Sequence, residues 1–441
     1  MTGNDVVEFG LDNGLKVLLK PVHSAPIATN WIWYRVGSRN ELPGKTGISH
    51  WVEHMMFKGT PTFPKGSIMR QVNKNGGTLN GFTSYDYTAY FETLPADRLD
   101  LGLRIEADRM ASSVFDPEEV GAERTVIISE REGSENSPNF LLREELMALA
   151  FRAHPYGHQV IGWKEDLRQI TRDDLWSHYQ TYYGPHNAVL VIVGDIDVAM
   201  LRGRIQELFA PIPAGPPPPP VAAVEPAQTG ERRVVVRQQG TAQYFQSAFH
   251  VPQASHPDNF ALMVLDAVLA GASPMTFGGG STPTHRSARL YKALVETELA
   301  SRAGCGYNPS IDPGLFHFYA TTREGRSLEE IEAAMWSEIK RIQDELVSEE
   351  ELLKAQKQAK AQFAYALESV TNQALWMGLM DIVISYERFY TFLDDLVTVT
   401  AADVQRVAQT YLIETNRTVG WFVPTENIER TVRSTENTTD D

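Results

Sequence analysis

Residues 171–187 read TRDDLWSHYQTYYGPHN, and residues 400–416 read TAADVQRVAQTYLIETN. Sliding one onto the other by 400 − 171 = 229 aligns six identities in seventeen positions. They are Thr171 with Thr400, Asp174 with Asp403, Gln180 with Gln409, Thr181 with Thr410, Tyr182 with Tyr411 and Asn187 with Asn416. Each copy reads as a capped helix and a turn, followed by an apolar strand, AVLVIVGD at 188–195 or TVGWFV at 418–423. The same order of elements repeated at one offset points to a duplicated domain. Between the copies, residues 211–220 read PIPAGPPPPP, seven prolines in ten positions. Proline has no N–H for a helix or sheet ladder and favours an extended chain, so this stretch is expected to be a semi-rigid spacer. The chain therefore divides into a domain at 1–212, a linker at 213–230 and a homologous domain at 231–441.

Working outward, residues 14–20, 28–36 and 91–95 read as strands by their apolar alternation and β-branched or aromatic content. Helices are expected at 46–57, 117–131 and 171–183, and in the second half at 257–270, 284–298, 327–347 and 348–370. Ser327 with Glu330, and Ser348 with Glu351, fit capping boxes, in which each side chain satisfies the other residue's free backbone donor. Strands and helices are both plentiful but do not alternate strictly. That favours an α+β fold of two homologous domains, each a mostly antiparallel sheet with helices packed on one face.

Composition removes several functional classes. Lys+Arg 40 against Asp+Glu 56 leaves a net charge of −16 in 441 residues, the wrong sign for a nucleic-acid backbone binder. One cysteine, Cys305, excludes an internal disulfide framework and a thiolate zinc cluster. No apolar run approaches the ~18–20 residues that span a bilayer. The first twenty residues carry no basic segment followed by an apolar one, so a cytoplasmic location is expected, or a periplasmic one for a chain whose leader has been removed.

The strongest local feature is His50-Trp51-Val52-Glu53-His54, within KTGISHWVEHMMFKGT at 45–60. Thr46 is the expected N-cap of this helix, and Gly59 stands just past its end. Residues four apart on a helix share a face, about 6 Å apart at Cβ, so His50 and His54 can meet one tetrahedral metal. Glu53 borders the same face, close enough to reach a metal-bound water without ligating the metal. This is HExxH read backwards. A catalytic site of this kind needs a third protein ligand and an open position. The candidate lies in DPEEVGAERTVIISEREGSE at 116–135, where Asp116 is the expected cap and Pro117 suits the first turn. Glu119, Glu123 and Glu130 recur at helical spacing, with Val126 and Ile127 filling the face between them. Carboxylates among apolar neighbours are costly unless a metal or a donor awaits them. Glu132 is out of phase.

These residues resemble the pitrilysin-type zinc peptidases, in the branch that includes mitochondrial processing peptidase and its bacterial relatives. That family shows HxxEH followed, 76 or 77 residues after the second histidine, by a glutamate ligand; here 130 − 54 = 76 falls on Glu130. Glu123, seven positions earlier, matches a second acidic residue that supports catalysis in the family. GGTLNGFTSYDYTAYFETLP (76–95), HPYGHQVIG (154–162) and YYGPHNAVLVIVGDID (182–197) also resemble family segments. The resemblance implies two homologous α+β domains and one Zn2+ per chain, held by His50, His54 and Glu130. It implies a zinc-dependent endopeptidase, in which Glu53 is the general base for an activated water and Glu123 tunes or orients the site. It places Asn80 and Phe82 on a strand that pairs with an extended peptide substrate. The alternative is a non-catalytic peptide-binding or assembly subunit, although such relatives usually lose the metal motif.

The second half departs from this pattern. Its counterpart of the metal helix, FALMVLDAVLAGA at 260–272, has no histidine. The family segment that carries a substrate-binding arginine and tyrosine corresponds to LVETELAS at 294–301, which puts Val295 and Ser301 at those two places; Arg289 matches an arginine upstream. By resemblance, the chain is expected to form a dimer that encloses a chamber, preferably a heterodimer with a homologous chain supplying the Arg/Tyr pair. Arg302 and Tyr307 are the candidates for a replacement pair within a homodimer. The remaining polar residues read as structural: His154 and His158 in a turn, His178 and His186 around a helix end, and Cys305 as a small apolar side chain. Gly278-Gly279-Gly280 reads as a flexible loop, and there is no GxSxG nucleophile elbow.

Overall fold

The computed structural model describes residues 5–272 and 285–425. Gly278-Gly279-Gly280 lies outside the described residues. The first half runs β1 (Val7–Gly10), β2 (Lys16–Pro21), β3 (Ile27–Tyr34), α1 (Ile48–Met55), α2 (Ser67–Lys74), β4 (Thr78–Thr83), β5 (Thr88–Pro95) and α3 (Leu99–Ser112). It continues with α4 (Pro117–Glu135), α5 (Pro138–Ala150), α6 (Lys164–Gln169), α7 (Arg172–Tyr182), β6 (Ala188–Gly194) and α8 (Val198–Phe209). The second half runs β7 (Arg232–Gln239), β8 (Tyr244–Val251), α9 (Asn259–Ala270), β9 (Ala300–Tyr307), β10 (Gly314–Thr322) and α10 (Leu328–Asp344). It ends with α11 (Glu349–Ala366), α12 (Val370–Val383), α13 (Arg388–Val397), α14 (Ala401–Tyr411) and β11 (Arg417–Thr425). Residues 213–229 carry neither helix nor strand.

The strands form two sheets, ordered β1-β2-β6-β3-β5-β4 and β7-β11-β8-β10-β9. With β1 set aside, the two orders correspond strand for strand. Each contains one parallel pair, β2 with β6 and β7 with β11, among antiparallel neighbours. The six repeated residues mark this duplication. Thr171 with Asp174 and Thr400 with Asp403 form matching capping boxes on α7 and α14. Asn187 donates to the Tyr182 carbonyl at 2.9 Å, and Asn416 donates to the Tyr411 carbonyl at 2.8 Å, bracing the turn into the next strand in both halves. The fold is α+β.

Alternation along the strands of the first sheet divides its buried side chains between two cores. On one face of the first sheet, Val17, Leu19, Ile32 and Tyr34 pack with the apolar side of α1, α3, α7 and α8. The other face presents Leu18, Trp31, Trp33 and Phe91. That face is covered by α12, a helix of the second half, which lies along β3 and β6, while α5 of the first half lies along β7, β8 and β11. Each half thus lends one helix to the other's sheet. The approach of α12 is close: a Cβ added at Gly378 would sit 2.1 Å from the Trp33 indole nitrogen. At the end of α12, Asp381 receives Lys16 at 2.6 Å and Arg35 at 2.8 Å, so the exchange is also tied by charge.

Most of the expected elements are present within a few residues. The capping boxes of Ser327 and Ser348 open α10 and α11. The helix expected over 284–298 is different: its regular part is a π turn at Tyr291–Val295, and Glu298 follows with φ 62°. A side chain in that left-handed region ends the helix early. Among the described residues, no helix is long and apolar enough to cross a membrane.

Candidate metal centre

Helix α1 is set by four buried apolar residues at i, i+3, i+4 and i+7: Ile48, Trp51, Val52 and Met55. They pin one side to the core and leave His50 and His54 on the other. The N-cap is Gly47, not Thr46. Gly47 has φ 87°, and a Cβ there would lie 2.5 Å from the Ile161 carbonyl oxygen. Thr46 is committed elsewhere, donating through its hydroxyl to Asp166 at 2.7 Å. The open helix N–H groups of Gly47 and Ser49 are taken instead by the Glu41 carboxylate, at 2.8 Å each. Burial pushes the Glu41 carboxyl up to about 8, against the pull of those two donors.

Helix α4 carries the third candidate ligand. Asp116 caps it, accepting from the N–H groups of Glu118 and Glu119. Its buried stripe is Val120, Glu123, Ile127 and Arg131. The expectation that Val126 and Ile127 together fill the face is corrected: Ile127 is buried, but Val126 is 44% exposed, because it falls outside that stripe. Glu119 is not part of the centre; it pairs with Lys65. Glu132 points to solvent near Lys164.

His50, His54 and Glu130 come together, with donor atoms all within 4.8 Å of one another. The two histidine Nε2 atoms are 3.2 Å apart, and Glu130 Oε2 is 3.7 Å from His54 Nε2 and 4.0 Å from His50 Nε2. Tetrahedral zinc at bond lengths of about 2.0–2.1 Å needs ligand atoms roughly 3.3 Å apart, so the donor set fits zinc in type and spacing. Glu123 accepts from His54 Nδ1 at 2.8 Å, which fixes the ring and leaves Nε2 facing His50 and Glu130. Lys58 holds the other carboxylate oxygen of Glu123. Burial works against the charged form of Glu123, but the His54 and Lys58 contacts prevail and hold its carboxyl below the usual range. Burial, with His54 beside it, pushes His50 down to about 3, so it is neutral and able to ligate.

Glu53 is buried beside the triad and does not belong to it. Its Oε2 accepts from the Thr83 hydroxyl at 3.0 Å. Burial raises its carboxyl above the ordinary value, against the pull of His54 and Thr83. Next to it, Phe57, Lys58 and Lys65 line a recess of about 310 Å³ together with Glu53, His54 and Glu123. Thr83 ends β4, the edge strand of the sheet, which pairs only with β5 among the described strands. Asn80 is exposed on that strand, and its Oδ1 accepts from the Gly81 N–H at 3.0 Å. Phe82 alternates to the face away from Glu53, with its ring 6.0 Å from Trp31 and 6.1 Å from Trp33. Thr83, Lys58 and Glu41 escaped the sequence reading. Lys58 had a signal, since His50, His54 and Lys58 are spaced by four; Thr83 reaches Glu53 through a tertiary contact, and Glu41 acts only at the start of α1.

His154, His158 and His178 have structural neighbours, whereas both ring nitrogens of His186 are buried without a hydrogen-bond partner. His154 bonds Asp312 at 3.0 Å, and His158 lies 3.5 Å from Glu41. His178 is buried against Ser49, and burial pushes it down to about 3. Cys305 is buried but polar in its contact, donating to Asp266 at 3.0 Å. In the second half, Arg289 forms a two-pronged pair with Glu351, at 2.9 Å on each prong.

Two family models match the chain: "Insulinase (Peptidase family M16)" over residues 16–163 and "Peptidase M16 inactive domain" over residues 169–359. A zinc protease, PqqE, of Helicobacter pylori is 29% identical over 427 residues, covering 94% of this chain and 92% of that protein. A probable mitochondrial-processing peptidase subunit beta of Arabidopsis thaliana is 26% identical over 423 residues, covering 95% of this chain and 78% of that protein. The crystal structure of a protease from Helicobacter pylori superposes with a TM-score of 0.89 at 27% identity, covering 95% of this chain and 99% of the other.

Proposed function

The chain belongs to peptidase family M16, and on that footing we propose that it is a zinc-dependent endopeptidase whose centre is His50, His54 and Glu130. The observation that carries this reading is the convergence of those three donors within 4.8 Å of one another, beside a buried carboxylate that is not one of them. Zinc held there supplies Lewis-acid polarisation of a peptide carbonyl and a more acidic water. Glu53, steadied by Thr83, accepts the proton of the attacking water and returns it to the leaving amine. Glu123 keeps the His54 ring turned so that Nε2 faces inward, and Lys58 balances the charge of Glu123. The free edge of β4 offers unpaired N–H and C=O groups to an extended peptide, with Asn80 against its main chain; Phe82, wedged on Trp31 and Trp33, sets the position of the strand. A non-catalytic assembly role gives the donors and Glu53 no reason to converge. The test is hydrolysis of unstructured peptides by the wild type and by Glu53→Gln. A general base contributes about 10²–10⁴-fold, so the variant is expected to lose that much in kcat. Equal rates refute the mechanism.

The chain is further proposed to act as the metal-bearing member of a heterodimer, enclosing substrate with a homologous chain that supplies an arginine and a tyrosine. Val295 and Ser301 stand where that pair is expected. The candidates for replacing it here are otherwise engaged: Tyr307 is buried with its hydroxyl on Asn259 at 2.9 Å, and Arg302 lies over the Tyr319 ring. Full peptidase activity of the chain purified alone contradicts this; activity that appears only with a second, homologous chain supports it.

A further inference from the structure

A cavity of about 560 Å³ is lined by residues of both halves and shares none of its lining with His50, Glu53, His54, Glu123 or Glu130. Its volume falls within the roughly 300–1,000 Å³ of small-molecule sites, which favour domain boundaries. Most of its wall is apolar. Phe260 and Met263 of α9 and Trp376 and Leu379 of α12 face it and are only partly buried. Its polar end is formed by the turn at 84–87, α5 and β10, from opposite halves of the chain.

Four charged side chains line this space: Asp86, Asp266, Arg143 and Arg388. Three are satisfied by protein. Asp86 accepts from the Tyr156 hydroxyl at 2.5 Å and the Ile311 N–H at 3.0 Å. Asp266 accepts from Cys305 at 3.0 Å, and Arg388 donates to Asp395 at 2.9 Å. Arg143 differs. It lines the cavity and is exposed, Tyr85 and His317 are its electrostatic neighbours, and among the described residues it forms no ion pair with a carboxylate. His317 is no competing cation, because burial and the nearby Arg143 push it down to about 3. A guanidinium presents a fork of donors matched to a carboxylate, and beside apolar walls that bond is worth more than in water.

We propose that this cavity binds a small carboxylate on an apolar stem, with the carboxylate on Arg143 and Tyr85 and the stem between Phe260, Met263, Trp376 and Leu379. An aliphatic acid and the C-terminal residue of an apolar peptide share that chemistry. The site is separate from the metal centre, so the proposal holds or fails independently of the peptidase reading. The test is calorimetric titration of the full chain, zinc-free and zinc-loaded, with dodecanoate, dodecan-1-ol, and N-acetyl-Phe-Leu as free acid and as amide. At least one acid is expected to bind in both metal states and to outbind its neutral counterpart. Arg143→Gln is expected to weaken it about 10- to 100-fold, the worth of a charged hydrogen bond, while Arg143→Lys retains more. Quenching by 12-bromododecanoate that falls in Trp376→Phe places the stem. Preference for dodecanoate identifies aliphatic acids, and preference for the peptide acid over its amide identifies peptide ends. The proposal is overturned if neither acid binds, or if Arg143→Gln binds the acid as tightly as wild type.

Discussion

Glu123→Gln separates the charge of the His54 partner from its shape. The substitution preserves volume in a side chain that is 5% exposed, and the amide oxygen can still accept from His54 Nδ1, now 2.8 Å from the carboxylate. The ring therefore keeps its orientation, and what is lost is the negative charge that strengthens His54 as a donor to the metal. A hydrogen bond to a charged group contributes about 1.5–3 kcal/mol and a neutral one about 1 kcal/mol, so the change removes roughly 0.5–2 kcal/mol. Loss of such an outer partner typically costs about 10- to 100-fold in metal affinity, the same range within error. Lys58 is left without its partner, but it is 22% exposed and can turn to solvent, so the metal-free protein is expected to lose only about 1 kcal/mol. The assay is competition for zinc against a fluorescent chelator, alongside a melt of the metal-free protein. Lys58→Met is the companion: it keeps the carboxylate and removes a cation near the metal, and is expected not to weaken zinc binding. A zinc Kd for folded Glu123→Gln within about twofold of wild type refutes the reasoning. So does a Lys58→Met variant that loses more affinity than Glu123→Gln.

Three further outcomes are expected. Gly378→Ala places a Cβ 2.1 Å from the Trp33 indole nitrogen, so it should lower the denaturation midpoint by about 1–3 kcal/mol equivalent, and an unchanged midpoint contradicts the close approach of α12. Glu41 has its carboxyl raised to about 8 in the folded chain, above its unfolded value; its contribution is full below the unfolded value and is lost as pH rises through about 8. Unfolding free energy should therefore fall over that window in the wild type and fall less in Glu41→Gln, whereas identical slopes contradict the assignment. Residues 1–212 expressed alone lack α12 over Trp31 and Trp33, and should stay soluble only when residues 231–441 are co-expressed; a soluble, cooperatively melting 1–212 refutes the helix exchange.

What could be read from the residues was what closes over short distances. A capping box joins residues three apart, which is why Thr171, Ser327, Ser348 and Thr400 announce their helices. The pairing of His50 with His54 follows from helix geometry, and Glu130 followed from resemblance through its spacing. Features made by tertiary contact were not legible. Thr46 looks like a cap, but Asp166, 120 residues away, takes its hydroxyl, and Glu41 caps the helix from an upstream loop. Val126 is apolar at a helical spacing, yet only the packing of α4 reveals that it faces out. The exchange of α5 and α12 left no local trace, since nothing in either helix's own sequence says which sheet it covers. The early end of the helix before Glu298 likewise depends on a backbone conformation that its residue type does not advertise.

The central claim is that one zinc ion is held by His50, His54 and Glu130. Native mass spectrometry of the zinc-reconstituted chain, after dialysis against a moderate chelator, tests it most directly when wild type is compared with His50→Ala and Glu130→Ala. One zinc per wild-type chain, lost in both folded variants, is the predicted result. A wild type that retains no zinc, or a Glu130→Ala variant that holds it as firmly as wild type, contradicts the account.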